Sequence, residues 1–283
     1  MNNDTAKSRD DVLGAVEAIR ARRSVRTFDG QPLSQKDAEM IESYASEASN
    51  PFGIPITWKI MDAEKEKLSS PVIVGASHYI AGKMKRVPKA EEAFGYSFEK
   101  IVLFAQSRGI GTTWIAGTMN RQAFEKAVGL GEGEVMPCVS PLGYPASKMS
   151  FRETVMRGSI KADTRDDFSV LFFDGSFDTP LSPDKAGRLK DVLEAVRLSP
   201  SAVNRQPWRV VISGGGKAHF YEKRSGGYVS SDGWDIQKID IGIALCHFDL
   251  SAKEIGLDTA LTFDDPGLDT GDGVSYIATY AVS

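Results

Sequence analysis

Apolar residues recur along this chain at helical spacing in some stretches and as short continuous runs in others. Val12, Val16 and Ile19 fall three and four apart and predict a helix over residues 10–21, leading into the basic stretch RRSVR. Ser34 with Asp37 three residues on is a capping-box-like start, and Ile41, Tyr44, Ala45 and Ala48 lay an apolar stripe along the helix that follows. Short β-prone runs come next at 57–61 and 71–74. A long helix is predicted over about 97–107, ending at Gly109 and Gly111, and a strand over 135–142, stopped by Gly143-Tyr144-Pro145.

The second half of the chain repeats this order. FDGQPLSQKDAEMI at 28–41 answers to FDGSFDTPLSPDKAGRL at 173–189, and residues 49–58 align with 199–208 without a gap, each stretch closing on a tryptophan. In the second copy Ser182 is expected to cap the helix, with Pro183 in its first position, where a missing N–H costs nothing. SFEKIVLFAQSRGIG at 97–111 resembles a helix predicted over 239–256, which also closes on Ile-Gly. The last apolar strand, 274–282, answers to the strand before Gly143. Two tandem copies of one half-fold are the architecture that this pattern supports.

Composition narrows the function classes. The chain has 283 residues, 41% hydrophobic and 25% charged, as in an ordinary globular protein, and its formal net charge of −4 gives no reason to expect a nucleic-acid partner. Cys138 and Cys246 stand far apart and read as buried thiols. The polar start MNNDTAKSRDD lacks the core of a signal peptide, and no apolar run approaches the about 20 residues needed to span a bilayer. A cytoplasmic location without a membrane partner is therefore expected. His78, His219 and His247 have no ligand spacing and no Ser/His/acid motif is readable, so no metal and no nucleophilic side chain is expected.

Two stretches carry chemistry. RARRSVR brings Arg20, Arg22, Arg23 and Arg26 around Ser24, a set of guanidinium forks and a hydroxyl suited to a phosphate, or else a solvated basic patch at a helix end. In SPSAVNRQPW, Ser199, Ser201, Asn204 and Gln206 supply neutral donors and acceptors on a backbone held extended by Pro200 and Pro207. Such a loop reads the edge of a heterocycle, or else turns upon itself through its own Ser and Asn. RGIGTTWIAG at 108–117 lacks the full G-x-G-x-x-G pattern and follows a helix, so it is no dinucleotide fingerprint. SGGGK at 213–217 lies between two β-prone runs and reads as a hairpin turn rather than a P-loop.

The combination of R-R-S-x-R-x-F, P-S-x-x-N-x-Q-P-W, G-x-G-T-x-W-I-x-G and a G-Y-P turn resembles the FMN-dependent nitroreductase family, and more closely its fused, two-repeat branch. The resemblance implies an α+β fold in which two half-repeats form an intramolecular pseudo-dimer, with mixed, mainly antiparallel sheets packed by helices. The implied parts are an N-terminal repeat over 10–150, a crossing connection over 151–172 and a C-terminal repeat over 173–283. It also implies that Arg22, Arg23, Ser24 and Arg26 hold the FMN phosphate and ribityl end, with Lys148 and Arg152 reaching the phosphate. Pro200, Ser201, Ala202, Asn204 and Gln206 would line the isoalloxazine. Ile115, Ala116 and Gly117 would lie beside the ring, with a backbone N–H directed at its N5.

The repeat alignment sets Asp167, Phe168, Ser169 and Leu171 against Arg22, Arg23, Ser24 and Arg26, and sets Pro51, Ile54 and Ile56 against Ser201, Asn204 and Gln206. One composite site keeps its polar parts and the other has lost them, which predicts one FMN per chain. The activity implied is ping-pong hydride transfer from NAD(P)H to a nitroaromatic, quinone or similar small oxidant, with the flavin and no side chain carrying the reaction. The alternative is a flavin- or ligand-binding protein of the same fold without turnover. A monomeric pseudo-dimer or a weak homo-oligomer is expected. The connection over 147–173 is placed to replace the terminal arm of relatives, and the basic, turn-rich stretch 77–96 reads as a lid or a surface loop.

Overall fold

The sequence pattern is realised most directly where a local cap or turn sets the backbone. In the computed structural model, which describes residues 13–231 and 233–283, the first helix is α1 (Ala15–Ala21); the expected start over 10–12 lies outside the described residues. Ser34 caps α2 (Gln35–Glu47) as its spacing predicts, its Oγ accepting from the Asp37 N–H at 3.1 Å. Ile41 and Ala45 are buried, and Tyr44 stacks on Phe104 with ring centroids 4.1 Å apart.

The chain forms two compact units. The first comprises the described residues through Ala48, Thr57–Lys83 and Lys100–Thr154; the second comprises Ser49–Ile56, Met84–Glu99 and Val155–Ser283. The first sheet holds β1 (Thr57–Asp62), β2 (His78–Lys85), β3 (Glu134–Val135) and β4 (Val139–Leu142). β2 runs antiparallel to β1, with Thr57 opposite Lys83, and antiparallel to β4, with His78 opposite Leu142. Met61, Tyr79, Phe124 and Val139 belong to the hydrophobic cluster of the first unit, which takes in residues of α4 (Arg121–Val128).

The sheet of the second unit runs in the order β5 (Phe172–Asp174), β6 (Trp208–Ser213), β7 (Lys217–Lys223), β9 (Val274–Val282) and β8 (Thr259–Thr262). β5 and β6 are parallel and the other pairs antiparallel, so the sheet is mixed. SGGGK is the expected hairpin turn, with Gly215 and Gly216 at φ 75° and 71°. The core beneath it gathers Trp208, Phe220, Phe248 and Tyr280 with the apolar faces of α7 (Lys190–Arg197) and α8 (Ile236–Glu254). Cys138 and Cys246 are both buried and form no disulfide. Among the described residues no helix is long and apolar enough to cross a membrane.

Several expectations are corrected. The stretch 71–74 is no strand; Val74 makes one isolated bridge, to Thr27, because Pro71 lacks an N–H and the chain turns there. The stretch 77–96 is no loop, since it contains β2 and the first turns of α3 (Ala90–Ser107). Tyr79 to Gly82 are buried in succession, as in a strand covered on both faces, so its alternation was not visible. α3 therefore starts seven residues before the predicted position, with Glu91 and Glu92 in its first turn, where the helix dipole favours acidic groups. The strand predicted over 135–142 is interrupted at Pro137 and splits into β3 and β4. Ser182 does not cap a helix: Gly187 at φ 55° breaks the helical path, and α7 begins at Lys190 after a short 3₁₀ turn.

Candidate functional site

In the first unit the segment RRSVRTF is extended and held along its length by backbone hydrogen bonds to segments remote in sequence. The Val25 N–H donates to the Thr112 carbonyl at 2.9 Å, the Val74 N–H to that of Arg26 at 2.9 Å, and the Ala146 N–H to that of Thr27 at 3.1 Å. Residues 112–115 and 144–146, from two of the other sequence motifs, are thereby fixed beside it. An extended backbone sends alternate side chains to opposite sides. Arg23 and Thr27 share the side that meets Glu153, while Arg22, Ser24 and Arg26 take the other.

Glu153 is the residue that sequence reasoning missed. Its carboxylate is buried and accepts from the Thr27 hydroxyl at 2.8 Å and the Arg26 N–H at 3.3 Å, with Arg23 Nη1 at 3.8 Å. The Ser150 N–H donates to Thr27 Oγ1 at 3.0 Å, and Ser150 Oγ accepts from the Glu153 N–H at 3.2 Å. The signal was present as Ser150-x-x-Glu153, a capping-box spacing at the start of α5 (Phe151–Ser159). What that spacing does not disclose is that the glutamate reaches across to Thr27. The consequence is that Lys148 and Arg152, both exposed, flank a turn pinned to RRSVR. The structure thus sets the segment RRSVRTF, with its guanidinium groups and the Ser24 hydroxyl, beside the turn that carries Lys148 and Arg152. Such a donor set fits a phosphate.

Ile115 pairs with Val139 through two backbone bonds of 2.9 Å, so its N–H is engaged. A donor for a ring from this stretch falls to Ala116 or Gly117. Gly117 is exposed, and a Cβ there would meet nothing within 4 Å, so the backbone is open to approach.

In the second unit SPSAVNRQPW leaves α7 and crosses to β6 through a single 3₁₀ turn at Ala202–Asn204. Val203, Asn204 and Gln206 have φ of 42°, 58° and 49°, a left-handed conformation costing non-glycine residues about 1 kcal/mol or more each. Surrounding bonds impose it. The Gln206 N–H donates to Ser201 Oγ at 2.9 Å, Arg209 Nη1 to the Gln206 carbonyl at 2.9 Å, and the Ala202 N–H to both Asp240 oxygens at 3.1 Å. The side chains of Asn204 and Gln206 are themselves engaged: Asn204 Nδ2 donates to the carbonyls of Lys161 and Thr164, and Gln206 Oε1 accepts from the Asp166 N–H. The chemistry of Ser201, Asn204 and Gln206 fits a ring edge bearing carbonyls and an N–H, because the backbone that they now hold offers those same groups.

Asp240 sits on α8 between Ile239 and Ile241, a charge flanked by two isoleucines, which was the sequence sign of its burial. Burial pushes its carboxyl well above the usual carboxylate range; Asp235 and Glu222 add to this and the Ala202 N–H opposes it. Burial likewise raises Glu222 and Glu92, the latter offset in part by Lys89. Among the described residues no group of His, Cys, Asp and Glu is arranged to hold a metal ion.

Comparison with known proteins gives the chain's family and fold. The profile of the family described as "Putative TM nitroreductase" matches residues 15–252. A crystal structure of a nitroreductase-like protein from Thermotoga maritima matches with 22% identity and a TM-score of 0.63, over 99% of this chain and 99% of that one. An FMN-dependent nitroreductase from Clostridium difficile matches with 15% identity and a TM-score of 0.40, over 49% of this chain and 92% of that one. No curated protein sequence matches the chain significantly.

Proposed function

The chain belongs to the family described as "Putative TM nitroreductase" and has a nitroreductase-like α+β fold, and from that premise we propose that it is an FMN-dependent oxidoreductase binding one FMN per chain. The observation that carries the reading is the convergence of RRSVR with the turn at 148–153, a cationic neighbourhood built from two remote segments. Arg22, Ser24 and Arg26 would hold the phosphate, assisted by Arg23, Lys148 and Arg152. Pro200, Ser201, Ala202, Asn204 and Gln206 would line the ring, and the backbone at 115–117 would run beside it.

FMN, when bound, supplies hydride exchange between NAD(P)H and a small oxidant such as a nitroaromatic or quinone, in alternating half-reactions. The protein's own part is to hold, orient and polarise. Guanidinium groups neutralise the phosphate, and the loop amides fix the ring edge through directional hydrogen bonds. An N–H from Ala116 or Gly117 adds a neutral donor on an exposed stretch. The side chains at the positions equivalent by repeat support a single site: Phe168 and Leu171 are buried in the second unit's core, and Pro51, Ile54 and Ile56 offer no polar side-chain atom.

The test is the absorbance spectrum of the purified protein after incubation with FMN and removal of the excess, followed by anaerobic addition of NADH or NADPH. Bound flavin that bleaches is the expected result. Protein that retains no flavin overturns the reading, and bound flavin that neither nicotinamide reduces leaves a flavin carrier in place of a reductase.

A further inference from the structure

The second unit holds a contact that flavin binding alone does not explain. Residues 161–166 lie against SPSAVNRQPW and meet its side chains chiefly with backbone groups, joined by a longer contact from Arg165 Nη1 to Asn204 Oδ1 at 3.5 Å. Asn204 Nδ2 donates to the Lys161 carbonyl at 2.9 Å and to the Thr164 carbonyl at 3.0 Å, while Gln206 Oε1 accepts from the Asp166 N–H at 3.0 Å. Two carbonyls and one N–H are also what the pyrimidine edge of an isoalloxazine presents. Resting on the flavin reading above, we infer that residues 161–166 are a reversible cover, a backbone stand-in for the ring edge that occupies Asn204 and Gln206 and is displaced when flavin binds.

The way the segment is attached supports release. Lys161, Asp163, Thr164 and Asp167 are exposed, and the hydrophobic core resumes only at Phe168. Arg165 holds the cover by polar contacts: within the segment its Nη1 donates to the carbonyls of Ala162 at 3.0 Å and Thr164 at 2.7 Å, and its Nη2 ties the segment to the Leu198 carbonyl at 3.3 Å. Arg197 Nη1 adds a bond to the Asp166 carbonyl at 3.3 Å. Segments with few buried apolar contacts open at low free-energy cost. Strain gathers here as well. Of the described non-glycine residues with positive φ, Lys161, Val203, Asn204 and Gln206 lie at this contact, and the others are Lys67 and Lys89. A closed cover therefore competes with flavin, and the apparent affinity is reduced by the fraction of molecules that are closed.

Amide hydrogen exchange of the full chain with and without FMN tests this, read on peptides that include the Asp166 N–H. The expected result is faster exchange at Asp166 when FMN is bound, against the protection that a ligand ordinarily confers. In Arg165→Ala the cover is open beforehand: Asp166 exchanges fast without FMN, and the FMN dissociation constant falls by about tenfold. If FMN binds while Asp166 exchange is unchanged or slower, the inference is overturned and the flavin reading stands. A folded Arg165→Ala with unchanged affinity also overturns it. If neither wild type nor variant binds FMN, the flavin reading fails and takes the inference with it. Should Arg165→Ala not fold, the wild-type exchange decides alone.

Discussion

Single side chains in this protein act mainly by deciding which backbone is held where. Arg22 and Arg26 are the clearest test of the proposed phosphate end. Each charge-assisted hydrogen bond is worth about 1.5–3 kcal/mol, so Arg22→Ala with Arg26→Ala should weaken FMN at least about a hundredfold. Riboflavin, which lacks the phosphate, should bind the variant and the wild type alike; fluorescence titration reads both. Asp240 makes a second test, through pH. Its carboxyl, with Glu92 and Glu222, is raised by burial, so the folded state binds protons more tightly than the unfolded chain. That contribution to stability is full below the ordinary carboxylate range and is lost as pH rises through the raised folded values. Lys89, Lys238 and Arg224 oppose the rise at Glu92 or Glu222. In Asp240→Asn, Ala202 keeps an acceptor and the titration disappears, so the decline of Tm with rising pH should be shallower than in wild type. An equal slope would remove Asp240 from this account.

Among the elements, the long helices show why part of the pattern was legible and part was not. α8 was read over 239–256 from the apolar stretch around 241–248, and the structure starts it three residues earlier, where Asp235 caps it by accepting from the Gln237 N–H at 3.0 Å. The start of α3 was missed because Glu92 and Gly95 look like breakers of an apolar stripe. In the fold Gly95 lets two helix backbones meet: a Cβ there would come within 2.1 Å of the Ile239 carbonyl oxygen, and one on Gly242 within 2.1 Å of that of Glu92. No flexible side chain is available to give way. Gly242→Ala should therefore destabilise the protein by about 2–3 kcal/mol, seen as a lower urea midpoint with little change in m. Ser182 taught the opposite lesson, since a good capping residue with proline behind it produced no helix once Gly187 turned left-handed. Ser34, with no such interruption, capped α2 as read.

At the scale of the whole molecule the question is stoichiometry. In both halves of the chain a helix, an antiparallel strand pair and a long helix follow in the same order, α2–β1–β2–α3 and α7–β6–β7–α8. We take this as the mark of a duplication in which one copy of each polar motif was lost. Asp167 stands at the N-cap of α6 (Phe168–Leu171), and Phe168 and Leu171 have become core. A carboxylate repels a phosphate and buried apolar groups offer it no donor, so flavin released from saturated protein should measure one FMN per chain. A ratio of two would refute the asymmetry.

The sequence alone determined the polar inventory, the cap of α2 and the family resemblance, because each depends on residue identity at short spacing. Only the tertiary structure decided the partners of those polar groups. Glu153 finds Thr27, Asp240 finds Ala202, and Asn204 and Gln206 find the backbone of 161–166. The reason is physical: a buried hydrogen-bonding group takes the complement that the fold brings within about 3 Å, and for these residues that complement lies remote along the chain. For the same reason β2 left no alternation to read, since a strand covered on both faces owes its burial to its neighbours.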